Sequence, residues 1–141
     1  MNNYTAYIID DNYNDRYLLR RDLDNMEFFS LIFEAENGQD AMDFLLSYEQ
    51  NKYKYAKRFP PIFIFLDINM PIVNGFDFLN AFDALQKKDD RYQNIMFMMF
   101  TSSSLDEEIE KSFSYNFVKE YLVKGEIDMG ELKEKITHYL H

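Results

Sequence analysis

The chain has 141 residues, enough for one domain with a real core. Hydrophobic residues make up 47% of it, including 14 Phe and 11 Tyr, which argues against disorder; a net charge of −10 argues against a nucleic-acid-binding surface. Cysteine is absent, which excludes disulfides and thiolate metal sites.

The N-terminus, Met1-Asn2-Asn3-Tyr4-Thr5, lacks the basic start of a secretory signal. No apolar stretch approaches the roughly 20 residues of a membrane span. A soluble, cytoplasmic protein without membrane contact is therefore expected. The first predicted strand is Ala6–Ile9, and it delivers Asp10 and Asp11. Asn12 is a candidate helix cap, followed by the stripe Leu19, Leu23, Met26. Ser30–Phe33 reads as the second strand, with Asn37 capping the next helix. From Tyr48 to Pro61 the chain is long for a connection and carries Lys52, Lys54, Lys57 and Arg58. It reads as a solvated extension of the second helix, in preference to a docking surface for an acidic partner.

The third strand, Ile62–Leu66, is an apolar run bounded by prolines and reads as buried on both faces. It ends on Asp67. Asn74-Gly75 could signal a hairpin, but the stripe Phe78, Phe82, Leu85 that follows favours a helix capped by Asn74. The fourth strand, Ile95–Phe100, ends on Thr101 and Ser102. Ser104 with Glu107 fits a capping box, and Asp128 with Glu131 a looser one. Between them Tyr121–Val123 reads as the fifth strand, ending on Lys124; Leu132, Ile136 and Tyr139 mark the last helix. Five βα units in series predict a doubly wound α/β fold with a parallel sheet. One domain spanning 1–141 is expected, with no room for an output domain.

Each strand-end residue has an ordinary explanation alone: Asp10 and Asp11 as a turn, Thr101 as a helix approach, Lys124 as a surface charge. In a parallel α/β sheet, however, the ends of strands one and three are neighbours. Asp10, Asp11 and Asp67 would then repel by about 1 kcal/mol per pair even in water at roughly 4 Å. Such an all-oxygen cluster suits Mg²⁺. A hydroxyl at Thr101 and an ammonium at Lys124 would face it, as stabilisers of a phosphoryl group.

The segments Ile-Ile-Asp10-Asp11-Asn, Leu-Asp67-Ile-Asn69-Met-Pro71 with Gly75, Thr101-Ser102 and Tyr121-Leu-Val-Lys124 resemble the receiver domain of two-component response regulators, of the stand-alone type. The resemblance covers essentially the whole chain. It implies a (βα)5 flavodoxin-like sheet in the order 2-1-3-4-5. It also implies that Asp67 accepts a phosphoryl group from a sensor histidine kinase or phosphotransfer protein. Asp10, Asp11, Asp67 and the backbone carbonyl of Asn69 would hold Mg²⁺, and Thr101 and Lys124 would contact the phosphoryl oxygens. The resemblance further implies that Ser102, being small, would admit the donor, and that Asn69 and Ser103 would flank the path of hydrolytic water and tune the lifetime of the phosphorylated state.

Tyr121, with Thr101, would carry the switch to the face of the fourth predicted helix, fifth strand and fifth predicted helix. That face would bind a downstream protein, or a second copy in a homodimer. The implied activity is that of a phosphoacceptor switch rather than an enzyme. The rivals are a Mg²⁺-dependent phosphohydrolase, disfavoured because Asp10-Asp11-Asn12-Tyr13 is not an Asp-x-Asp motif, and a pseudo-receiver interaction module. One departure from the family stands out: Gly125 follows Lys124 where proline with a cis peptide is usual. A trans bond is expected here, with Lys124 still reaching the site.

Overall fold

A computed structural model describes residues 4–140. In chain order the elements are β1 (Thr5–Ile9), α1 (Tyr13–Met26), β2 (Leu31–Ala35), α2 (Gly38–Leu46), α3 (Tyr48–Tyr55), β3 (Phe63–Leu66), α4 (Gly75–Lys88), β4 (Met96–Thr101), α5 (Asp106–Phe113), β5 (Val118–Val123) and α6 (Met129–Tyr139). Single 3₁₀ turns follow α3 at Ala56–Arg58 and α4 at Asp90–Tyr92. The five strands are parallel in the order β2-β1-β3-β4-β5, as expected.

The sheet separates two apolar layers because successive strand side chains point to opposite faces. Ile64 and Leu66 of β3 join Leu45, Phe78 and Phe82 on one side. Phe63 and Phe65 join Leu19, Leu23, Leu132 and Ile136 on the other. All four residues of β3 are buried, so this central strand is apolar throughout. The stripes expected in α1, α4 and α6 face these layers. Asn12, Asn37, Asn74 and Asp128 all cap their helices through side-chain oxygens, and Asn74 with Asp77 completes a full capping box.

Two local expectations are corrected. The Ser104–Glu107 capping box does not form: α5 starts one residue later, at Asp106, with Leu105 as a cap lacking a side-chain bond. Ser103 takes over the polar contacts, accepting from the Leu105 N–H at 3.4 Å and donating to the Glu108 carboxylate. The Tyr48–Pro61 stretch is likewise not a solvated extension of α2. The Ser47 hydroxyl donates to the Asp43 carbonyl at 2.9 Å and its backbone leaves the helical region, so α3 is a separate helix. Lys52, Lys54 and Lys57 are exposed, yet Asn51 and Phe59 are buried and Tyr48 and Tyr55 pack against the core. Phe59 lies edge-on to Phe44 and Tyr48 at centroid distances of 5.5 and 5.3 Å.

Candidate functional site

The backbone ladder continues one residue past three strands and thereby fixes the site. Asp10 N–H donates to Ala35 (3.1 Å), Asp67 N–H to Ile9 (3.0 Å) and Lys124 N–H to Thr101 (2.8 Å). Each functional side chain thus leaves a backbone held by a neighbouring strand, at the C-terminal edge where open α/β sheets bind ligands. Strand order alone makes β3 the common neighbour of β1 and β4.

Gly75 brings α4 over this edge. A Cβ there would lie 2.5 Å from the Asp67 carbonyl oxygen and 2.7 Å from Ile68 Cα, so only glycine permits the approach. Its own N–H donates to the Ile68 carbonyl at 2.8 Å.

Asp10, Asp11 and Asp67 can each bring a carboxylate oxygen within 4.8 Å of the others. Asp10 and Asp67 are 2% and 5% exposed, whereas Asp11 opens to water. This set fits a small hard cation that keeps part of its hydration shell. Asn69 is exposed, and its N–H points to Asp67 Oδ1 at 3.4 Å.

Lys124 reaches the cluster despite Gly125. Its Nζ lies 2.6 Å from Asp10 Oδ2, 2.8 Å from Asp15 Oδ2 and 3.3 Å from Asp67 Oδ2. The Lys124–Gly125 peptide is trans, and Gly125 adopts φ +82°, the left-handed region that glycine enters freely. Burial works against the ammonium, but the hydrogen bonds it donates to Asp10 and Asp15 and the charge of Asp67 outweigh it and hold Lys124 above the usual lysine range. Burial pushes Asp10 up to about 6; the proximity of Asp67 adds to this, while Lys124 and the Asn12 N–H pull the other way.

Thr101 is fully buried at the end of β4, and its Oγ1 accepts from the Ser103 N–H at 3.4 Å. Ser102 is exposed. Tyr121 is half-buried against the core, and its hydroxyl donates to the Ser103 carbonyl at 2.9 Å. Burial raises its pKa. A bond therefore runs from the fifth strand to the loop that follows Thr101.

Two contributors were not anticipated from the sequence. Asp15 joins Lys124 from the first turn of α1. Arg16 donates to the Asp10 carbonyl at 2.7 Å and lies 3.5 Å from Glu34, bracing the acidic turn against β2. Both contacts arise only from folding; an Asp or Arg in a helix's first turns carries no such signal in sequence.

A family model described as the response regulator receiver domain matches residues 6–137. No curated protein matches the chain. Among solved structures, a two-component response regulator from Cytophaga hutchinsonii is 21% identical with a TM-score of 0.79, covering 96% of each chain. A CheY-like receiver domain protein from Methanospirillum hungatei is 25% identical with a TM-score of 0.69, covering 99% of this chain and 95% of that one. The receiver domain of an Arabidopsis thaliana histidine kinase, complexed with Mg²⁺ and BeF₃⁻, is 18% identical with a TM-score of 0.75, covering 96% of this chain and 89% of that one.

Proposed function

We propose that this chain, which belongs to the response regulator receiver family of two-component signalling, accepts a phosphoryl group on Asp67 and passes the signal on by binding another protein. The observation that carries this reading is the meeting of Asp10, Asp11 and Asp67 within 4.8 Å, with the Lys124 ammonium 3.3 Å from Asp67.

The donor is the phosphohistidine of a sensor kinase or phosphotransfer protein. A carboxylate oxygen of Asp67 forms the new P–O bond while the P–N bond breaks and imidazole leaves. A carboxylate nucleophile needs no general base at neutral pH, so positioning and charge neutralisation supply most of the rate. Asp10, Asp11, Asp67 and the Asn69 carbonyl would hold Mg²⁺, which would supply that neutralisation. Lys124 offers its ammonium to one phosphoryl oxygen and Thr101 its hydroxyl to another. Ser102 leaves the approach open. Asn69 and Ser103 flank the path of water and set how long the acyl phosphate survives.

The output follows from Thr101, Ser103 and Tyr121. Phosphorylation adds roughly −1.5 to −2 charge. A Thr101 hydroxyl drawn to it releases the Ser103 N–H, shifting the carbonyl that Tyr121 holds. The surface of α5, β5 and α6 repacks, and a downstream protein or a second copy reads the change. The chain acts as a cytoplasmic switch of one receiver domain, not as an enzyme on external substrates.

Incubation with Mg²⁺ and acetyl phosphate, followed by intact-mass measurement, tests the reading. One phosphoryl adduct per chain is expected, absent in Asp67→Asn. Multiple turnover of diverse phosphomonoesters would point to a hydrolase. Absence of both adduct and Mg²⁺ binding would leave an interaction module.

A further inference from the structure

We infer that Asp15 is a positioning residue that holds the Lys124 ammonium at the mouth of the site, an inference that rests on the phosphoryl-acceptor reading above. Four helices open with an oxygen-bearing cap and an acidic residue at the third helical position: Asp15, Asp40, Asp77 and Glu131. In α4 that residue turns back on its own cap, Asp77 accepting from the Asn74 N–H at 3.3 Å. In α2, Asp40 accepts from the Asn37 amide at 3.1 Å. Asp15 turns away from its cap. Asn12 already satisfies the Asp15 N–H at 2.9 Å, and the Asp15 carboxylate goes instead to Lys124, 109 residues further along the chain, at 2.8 Å.

The surroundings of Lys124 give this contact a purpose. Its backbone is pinned to Thr101, but Gly125 carries no side chain and a Cβ there would meet nothing within 4 Å. The Lys124 Nζ also lies 5.9 Å from the Phe100 ring centre, but its three close contacts are carboxylates, so the ionic partners set where the ammonium sits. Two of the three, Asp10 and Asp67, belong to the carboxylate triad and Asp15 does not. A divalent cation in the triad would draw on Asp10 and Asp67 and repel the ammonium. Asp15, 35% exposed and outside the triad, remains as the anion that keeps Lys124 within reach of an arriving phosphoryl group. Pre-placing the ammonium avoids reorganisation at the moment of transfer.

The test uses the full chain as wild type, Asp15→Asn, Asp15→Glu, Lys124→Met and the double variant Asp15→Asn with Lys124→Met. The first readout is the initial rate of adduct formation from acetyl phosphate at saturating Mg²⁺. Asp15→Asn should slow it about fivefold, equivalent to roughly 1 kcal/mol, the upper range for a partly exposed ion pair. The same change should have no effect in the Lys124→Met background, because Asp15 acts through the ammonium. Asp15→Glu, which retains the carboxylate, should restore most of the rate.

The second readout is the ¹H–¹⁵N signal of the Lys124 ammonium at low temperature, slow to exchange while the ion pair holds. It should broaden in Asp15→Asn and persist in Asp15→Glu, with Mg²⁺ present. An unchanged or faster rate in Asp15→Asn, equal slowing with and without Lys124, or an ammonium signal indifferent to Asp15 would each overturn the inference. A wild type that forms no adduct overturns the acceptor reading itself, while the ammonium signal still decides whether Asp15 holds Lys124.

Discussion

Asp10 is the residue at which charge and burial conflict most. It is nearly inaccessible, beside Asp67 and under Lys124, and burial lifts its pKa to about 6. Since the folded value is raised, the protonated carboxyl favours the native state. That contribution is complete below the ordinary carboxylate pKa and is lost as pH rises through about 6. A metal ligand must be ionised, so protons compete with Mg²⁺ for Asp10 in this window. We predict that Mg²⁺ affinity falls about tenfold from pH 7.5 to 5 and that binding near pH 6 releases about half a proton. Calorimetry in buffers of different ionisation enthalpy measures both; affinity flat across this range would show that no ligand carboxylate titrates there. The identity of the strand-end residues was legible in sequence, because each closes an apolar run. Their partners were less so. Asp15 and Arg16 look like ordinary first-turn helix residues, and only the crossing of α1 over the edge gives them Lys124 and the Asp10 carbonyl.

Among the elements, the apolar strands and striped helices were readable, whereas the pieces between them depended on contacts distant in sequence. The first half of β5, Val118-Lys119-Glu120, hides behind its charges, and its ladder with β4 is irregular between Phe97 and Met98. The segment α3 looked solvated because its lysines dominate the composition. Tyr48 and Tyr55 nonetheless pack against the core while Tyr53 stays exposed, and Arg91 further ties the segment down, with Glu49 at 2.7 Å and its guanidinium 4.0 Å from the Tyr48 ring centre. Phe59→Ala should therefore cost about 3–5 kcal/mol in urea unfolding, as for a buried aromatic, whereas truncating a side chain of a solvated linker would cost under about 0.5 kcal/mol. Gly75→Ala probes the α4 approach. Its Cβ would press on the backbone of Asp67 and Ile68, and backbone cannot swing aside as a side chain can. A loss of about 1–3 kcal/mol in stability is expected, together with weaker Mg²⁺ binding as Asp67 shifts. A stability change without any change in Mg²⁺ binding would show that the glycine serves packing alone.

Across the whole molecule, the acidic triad adds its own repulsion to a net charge of −10. Lys124 offsets part of it, being nearer to Asp10 and Asp15 than to Asp67. Removing the Asp67 charge therefore relieves repulsion at little cost in ion pairing, and Asp67→Asn without metal should be at least as stable as the wild type. Mg²⁺ reverses the ranking. A ligand that binds only the folded state at a hundred times its Kd stabilises by about 2.7 kcal/mol. For a chain of this size that raises Tm by roughly 10 °C. Asp67→Asn retains two of the three carboxylates and should gain less than half of this at the same Mg²⁺ concentration. Sodium chloride at matched ionic strength separates the site from the general field, because it screens the net charge without being held by the triad. The expected pattern in thermal melts is thus a small, equal salt response in both proteins and a Mg²⁺ response more than twice as large in the wild type as in Asp67→Asn. Equal Mg²⁺ responses would mean that the cation acts through the surface charge of the fold, and that the meeting of Asp10, Asp11 and Asp67 is not a binding site.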